Sequence, residues 1–160
     1  MSLEQKAAQL FIITPEALTG FQTVTQAGDA TYKALQEYPV AGLIYFPQNL
    51  QNPKQLKTMT ARTQELAAGL TQLPLFLSID EEGGKVARIA NHEGFDLPKV
   101  DTMAEIGKSR DISRAYEAGS VIGEYLEELG INLDFAPDAD VLTNPDNTVV
   151  LDLSLIHISE

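Results

Sequence analysis

Residues 73–84 read LPLFLSIDEEGG, so an apolar run from Leu73 to Ile79 passes directly into Asp80-Glu81-Glu82-Gly83-Gly84. A short, almost continuous apolar run is typical of a strand that is buried on both faces of a parallel sheet. The three carboxylates would then lie at the carboxyl end of that strand, where ligands bind in α/β folds.

Segments of the same kind alternate along the rest of the chain. Further strands are predicted at Leu10–Thr14, Val40–Phe46 and Ile131–Ala136. Helices are predicted at Leu3–Gln9, at Thr31–Tyr38, from Pro53 to about Ala68 with Gly69 as terminator, and after the cap Asp111 as far as Gly130. The apolar positions of that last helix are Ala115, Tyr116, Ile122, Tyr125, Leu126 and Leu129. The order β-α-β-α-β-loop-α-β predicts a parallel sheet covered by helices, either as a barrel or as an open sheet.

The composition excludes several classes of protein. The chain has 160 residues with 44% hydrophobic residues, which favours one globular domain over disorder. Its net charge of −12 argues against nucleic acid and anionic membranes as partners. No apolar run is long enough to span a membrane, and the first residues do not have the pattern of a signal peptide. Cysteine is absent, which excludes disulfides, thiolate metal sites and cysteine nucleophiles. The sequence does not decide the cellular compartment.

The residues after the central strand are the strongest candidates for chemistry. Asp80 is well placed to accept hydrogen bonds from ligand hydroxyls, and Arg88 could pair with a charge or donate to ligand oxygens. Two other interpretations remain open at this point. The carboxylates could form a solvated acidic turn, or Asp80, Glu82 and Asp140 could bind Mg²⁺ or Ca²⁺.

The remaining polar candidates have ordinary structural explanations. Asp138 and Asp140 could do acid/base work on a glycosidic bond, but hydrogen bonding within a turn explains Asp138 as well. His92 is expected to be a solvated loop residue. Ser109 and Ser113 are expected to take part in helix starts. The sequence contains no nucleophile elbow, phosphate loop or dinucleotide fingerprint.

Four segments together resemble the N-terminal catalytic domain of glycoside hydrolase family 3, in its β-N-acetylhexosaminidase branch. The segments are Leu3–Phe11, Ala41–Phe46 with Asn49 and Asn52-Pro53, Ile79–Arg88, and Leu129–Pro137 with Asp140-Val141 and Asn144-Pro145. The third segment is similar to the family signature Asp-x-Glu-Gly-Gly-x-Val-x-Arg. The third and fourth segments together are specific for this family. The resemblance extends over residues 2 to about 152.

The resemblance implies the N-terminal half of a (β/α)₈ barrel, with about four parallel strands and covering helices. It implies that Asp80 and Arg88 bind substrate in the subsite that holds the terminal sugar. It further implies a retaining exo-β-N-acetylhexosaminidase that removes terminal β-linked N-acetylglucosamine from cell-wall or chitin-type saccharides. The family uses an Asp nucleophile and a loop Asp-His acid/base pair, and the resemblance implies no metal and no cofactor.

The chain also departs from the family pattern. Lys85 stands where Arg is common, and Asp138 stands where an apolar residue is usual. Neither His92 nor His157 matches the catalytic His, and no Asp matches the nucleophile, so no catalytic residue is expected here. We expect residues 1–152 of this chain to be part of the catalytic domain of a parent hydrolase, and the chain to be inactive alone.

Residues 153–160 read LSLIHISE, which resembles the translation of a common transposase sequencing adapter. We therefore expect an artefactual tail in which His157 has no function.

Two functional alternatives stay open: a β-glucosidase or other family 3 glycosidase, and a non-catalytic carbohydrate-binding (βα)₄ module.

Overall fold

The computed structural model describes residues 2–138 together with residues 140, 144 and 146. These residues divide into two compact units. The first unit contains residues 2–79 and Glu127–Leu133. The second unit contains Asp80–Leu126 and the described residues from 134 onward. The predicted tail at residues 153–160 lies outside the described part of the chain.

The helices and strands alternate along the chain, as predicted. The elements are α1 (Leu3–Ala8), β1 (Ile12–Ile13), α2 (Pro15–Thr19), α3 (Asp29–Glu37), β2 (Gly42–Ile44), α4 (Pro53–Thr71), β3 (Phe76–Ile79), β4 (Glu81–Gly83), β5 (Val86–Ala87), α5 (Met103–Ser109), α6 (Ile112–Glu128) and β6 (Leu133–Asp134). A single 3₁₀ turn, Pro47–Asn49, follows β2.

The main sheet has four strands in the order β1-β2-β3-β6. β1 pairs with β2 and β2 pairs with β3, both in parallel. The predicted α/β class, with four parallel strands and covering helices as in the N-terminal half of a (β/α)₈-type barrel, is confirmed. Within the described residues, no helix is both long enough and apolar enough to cross a membrane.

The core of the first unit combines side chains from strands and helices. Leu43 in β2, Leu56 in α4 and Leu77 in β3 are almost completely buried. Burying such leucines contributes about 1.5–3 kcal/mol each, which makes these elements mutually dependent. Asn132 joins β3 to the segment before β6, because its side chain accepts from Leu77 N at 2.8 Å and donates to Leu75 O at 3.0 Å.

Several predicted boundaries were wrong. The end of α4 was predicted at Gly69, but the helix continues to Thr71 and ends at Gln72 in the left-handed conformation (φ 59°). The predicted strands were also too long, because Leu10 and Phe11 are exposed and only Ile12–Ile13 pair with β2. Tyr116 was assigned to the apolar face of α6 but is 79% exposed.

The segment between β3 and α6 was predicted as a long loop, but it contains regular structure. It forms the antiparallel pair β4–β5 and the helix α5. A capping box from Thr102 to Glu105 begins α5, and this pattern was visible in the sequence. Helix α2 was missed as well, although Thr14 and Pro15 form a standard helix start.

Candidate functional site

A short β-hairpin places the two predicted binding residues next to each other. In the second unit, β4 pairs with β5 so that Glu81 lies opposite Ala87. Asp80 precedes Glu81 and Arg88 follows Ala87, so the two candidates extend the open end of the hairpin by one residue on each side. The turn of the hairpin thus brings Asp80 and Arg88 together, although they are eight residues apart in the sequence.

Asp80 and Arg88 form a long ion pair at this open end. Arg88 Nη2 lies 3.5 Å from Asp80 Oδ2, and the two side chains are 33% and 23% exposed. The Nε of Arg88 is buried and has no hydrogen-bond partner among the described residues. An unpaired buried donor costs about 1–3 kcal/mol, so the guanidinium is held in a position that an external acceptor would improve.

One interpretation of the sequence placed Glu81 in a solvated acidic turn. For Glu81 this interpretation is wrong. Its side chain is completely buried. One carboxylate oxygen accepts from Ile89 N at 2.8 Å, and the other accepts from Ala90 N at 3.0 Å and from the Tyr125 hydroxyl at 2.8 Å. Glu81 therefore satisfies the backbone immediately after Arg88.

The two glycines shape the turn of the hairpin. Gly83 has φ +87°, and a Cβ atom there would lie 2.8 Å from the carbonyl oxygen of Asp101. The next glycine, Gly84, has φ +54° and packs against Thr102. An L side chain would meet both strain and steric overlap at these positions, so the Gly-Gly pair is required for this turn.

Other acidic groups surround the base of the hairpin. Glu82 accepts a hydrogen bond from Asp138 N at 2.9 Å, and Asp134 accepts one from Glu81 N at 2.9 Å. Burial raises the pKa of Glu82, and the negative charges of Asp138 and Asp80 raise it further. Burial raises the pKa of Asp134 to about 6, with smaller contributions from the charges of Glu81, Glu82 and Asp80.

The raised pKa of Asp134 predicts a specific pH dependence of stability. The folded state binds the proton of Asp134 more tightly than the unfolded chain does. This contribution to stability is therefore complete below about pH 4 and is lost as the pH rises through about 6. Asp134→Asn keeps an acceptor for Glu81 N and removes the charge. We expect the variant to gain stability relative to the natural chain as the pH rises.

Thermal melts of both proteins between about pH 4 and pH 8 measure this difference. A difference in Tm that does not change with pH would show that Asp134 titrates as an ordinary exposed carboxylate.

The other polar residues singled out from the sequence make local hydrogen bonds. His92 accepts from Gly94 N and packs edge-on against Phe95. Ser113 donates to Asp111 at the start of α6. Ser109 donates to Ile106 O at the end of α5 and also accepts from the amide of Asp111, just before α6. Asp138 accepts from Asp140 N, which agrees with hydrogen bonding within a turn. Across the described ranges, no group of three acidic, histidine or cysteine side chains is arranged to hold a metal ion, and this includes Asp80, Glu82 and Asp140, which the sequence left open as possible ligands.

Comparisons with known proteins identify the family of the chain. Residues 2–152 match the glycosyl hydrolase family 3 N-terminal domain. The chain is 40% identical over 118 residues to beta-hexosaminidase A of Pseudoalteromonas piscicida, covering 72% of this chain and 20% of that protein. It is 30% identical over 154 residues to beta-hexosaminidase LpqI of Mycobacterium tuberculosis, covering 96% of this chain and 35% of that protein.

A solved structure has the same fold. The family 3 β-N-acetylglucosaminidase from Paenibacillus sp. str. FPU-7 superposes with a TM-score of 0.80 at 37% identity, over 94% of this chain and 26% of that one. The chain thus spans between a fifth and about a third of the length of these relatives. Because the family model matches residues 2–152, the chain belongs to the glycosyl hydrolase family 3 N-terminal domain family.

Proposed function

We propose that this chain supplies the sugar-holding part of a retaining exo-β-N-acetylhexosaminidase. The proposal is supported by the Asp80–Arg88 pair at the open end of the hairpin. The buried Nε of Arg88 has no hydrogen-bond partner among the described residues. A carboxylate and a guanidinium side by side suit a sugar ring, because neighbouring hydroxyls both donate and accept hydrogen bonds.

The assignment of the sugar rests on the relatives. Those compared above carry the names beta-hexosaminidase and β-N-acetylglucosaminidase, so terminal β-linked N-acetylglucosamine is the proposed sugar. Cell-wall and chitin-type saccharides present this sugar. The same Asp80–Arg88 geometry would also hold glucose, which makes a β-glucosidase the natural competitor.

The proposed reaction is a double displacement through an oxocarbenium-like transition state. In it, Asp80 and Arg88 bind the sugar and do not themselves form or break the glycosidic bond. No residue of this sequence matches the family's nucleophile or its acid/base His. We therefore propose that the 160-residue chain binds the sugar but does not turn substrate over.

Calorimetric titration of the purified chain tests the proposal. Because the relatives are named for N-acetylglucosamine or hexosamine, we expect saturable binding of N-acetylglucosamine and weaker binding of glucose. Equal affinities would favour a β-glucosidase, and no binding of either sugar would contradict the assignment of the subsite. Aryl N-acetylglucosaminide should not be hydrolysed, and turnover that Asp80→Ala abolishes would disprove the proposed inactivity.

A further inference from the structure

The hairpin contains a buried carboxylate that belongs to neither Asp80 nor Arg88. Glu81 is the neighbour of Asp80 in the chain and is completely buried. Its oxygens accept from the backbone amides of Ile89 and Ala90, the two residues that follow Arg88. One side chain thus connects the two arms of the hairpin that end in the candidate binding residues.

The hydrogen bonds of the Glu81 side chain are separate from the backbone pairing of β4 with β5. The β4–β5 ladder is short and irregular, with a register shift between Glu81 and Gly83. Backbone pairing ends at Ala87, and Arg88 lies beyond it. The hydrogen bonds from Ile89 N and Ala90 N to Glu81 therefore fix the course of the chain just after Arg88.

The Glu81 side chain is itself held from a third element. The Tyr125 hydroxyl, on α6, donates to the same oxygen that accepts from Ala90 N. Burial raises the pKa of Tyr125, and the neighbouring Glu81 charge raises it further, so the phenol keeps the proton that it donates. The amide of Glu81 is fixed in turn by Asp134.

We propose that Glu81 is a positioning residue: its carboxylate, held by Tyr125, sets the orientation of the Arg88 guanidinium relative to Asp80 and thereby the affinity of the site for its sugar. The sugar part of this inference rests on the proposed function above. The orientation of Arg88 does not depend on it, and the two parts have separate readouts.

The decisive variant is Glu81→Gln, which keeps the shape of the side chain. A Gln side chain has only one acceptor oxygen, and its amide group would place N–H donors against the N–H groups of Ile89 or Ala90. Glu124→Gln is the matched control, because Glu124 is an exposed residue of α6 and the change in net charge is the same.

The main readout is the Nε–Hε resonance of Arg88 in the ¹H–¹⁵N spectrum of the 160-residue chain. We expect Glu81→Gln to shift or broaden this resonance and to weaken N-acetylglucosamine binding about tenfold, whereas Glu124→Gln changes neither. If Glu81→Gln does not fold, Tyr125→Phe is the milder test. It removes one of three donors to Glu81, and we expect a smaller shift in the same direction with a two- to threefold loss of affinity.

The outcomes separate the two proposals. A folded Glu81→Gln variant with an unchanged Arg88 resonance and unchanged affinity overturns the positioning role, even if its Tm falls, and so does an unchanged resonance in Tyr125→Phe. If the natural chain does not bind N-acetylglucosamine but the Arg88 resonance still responds to Glu81→Gln, the positioning role stands and the sugar assignment fails.

Discussion

Replacing Gly42 with alanine is expected to destabilise the chain by about 3 kcal/mol or more, the upper range for inserting atoms into a packed core. Gly42 lies in β2 opposite Phe76 of β3. A Cβ atom at this position would overlap the carbonyl oxygen of Phe76 and lie 2.8 Å from its Cβ atom. The overlap is with backbone, so the two paired strands would have to separate.

Urea denaturation of the natural chain and the variant measures this effect. Gly69→Ala is the matched control, because nothing lies within 4 Å of the added Cβ atom and the residue is inside α4. The control should gain about 0.5–1 kcal/mol, since alanine favours the helix. Equal stability of Gly42→Ala and the natural chain would show that β2 and β3 are not paired in this register.

Asp80→Ala is expected to weaken N-acetylglucosamine binding at least tenfold, because hydrogen bonds to a charged acceptor contribute about 1.5–3 kcal/mol. The substitution also removes the charge next to Arg88 Nη2, so the guanidinium loses its partner at 3.5 Å. Both changes act on the same sugar and should reduce affinity in the same direction.

Calorimetry of the variant and of Asp96→Ala checks this effect. Asp96 is an exposed aspartate of the same unit, so the control changes the net charge equally. We expect Asp96→Ala to bind like the natural chain. Loss of affinity in both variants would point to the net charge as the cause, and loss in neither would remove Asp80 from the site.

Much of the fold could be predicted because the signals are local. Apolar runs ending in polar residues located the strands, and the cap of α6 at Asp111 is present as a hydrogen bond from Ser113 N. The end of α4 was missed because Gly69 suggested a terminator. The actual cap is Gln72, a residue type that carries no such signal.

The site was predicted only in part, for a physical reason. Asp80 and Arg88 lie in a recognisable signature, and the hairpin brings them together. The role of Glu81 could not be predicted, because its donors lie 8, 9 and 44 residues away and only the tertiary fold assembles them. A carboxylate after a strand is solvated in most proteins, so burial of Glu81 is the less common outcome.

Sugar binding by the hairpin is tested by titrating the ¹⁵N-labelled chain with N-acetylglucosamine while its backbone and Arg side-chain resonances are recorded. We expect saturable shifts centred on Asp80, Arg88 and the amides of Ile89 and Ala90. Saturable shifts confined to another part of the chain, or no shifts at millimolar sugar, would contradict the claim that this hairpin holds the sugar.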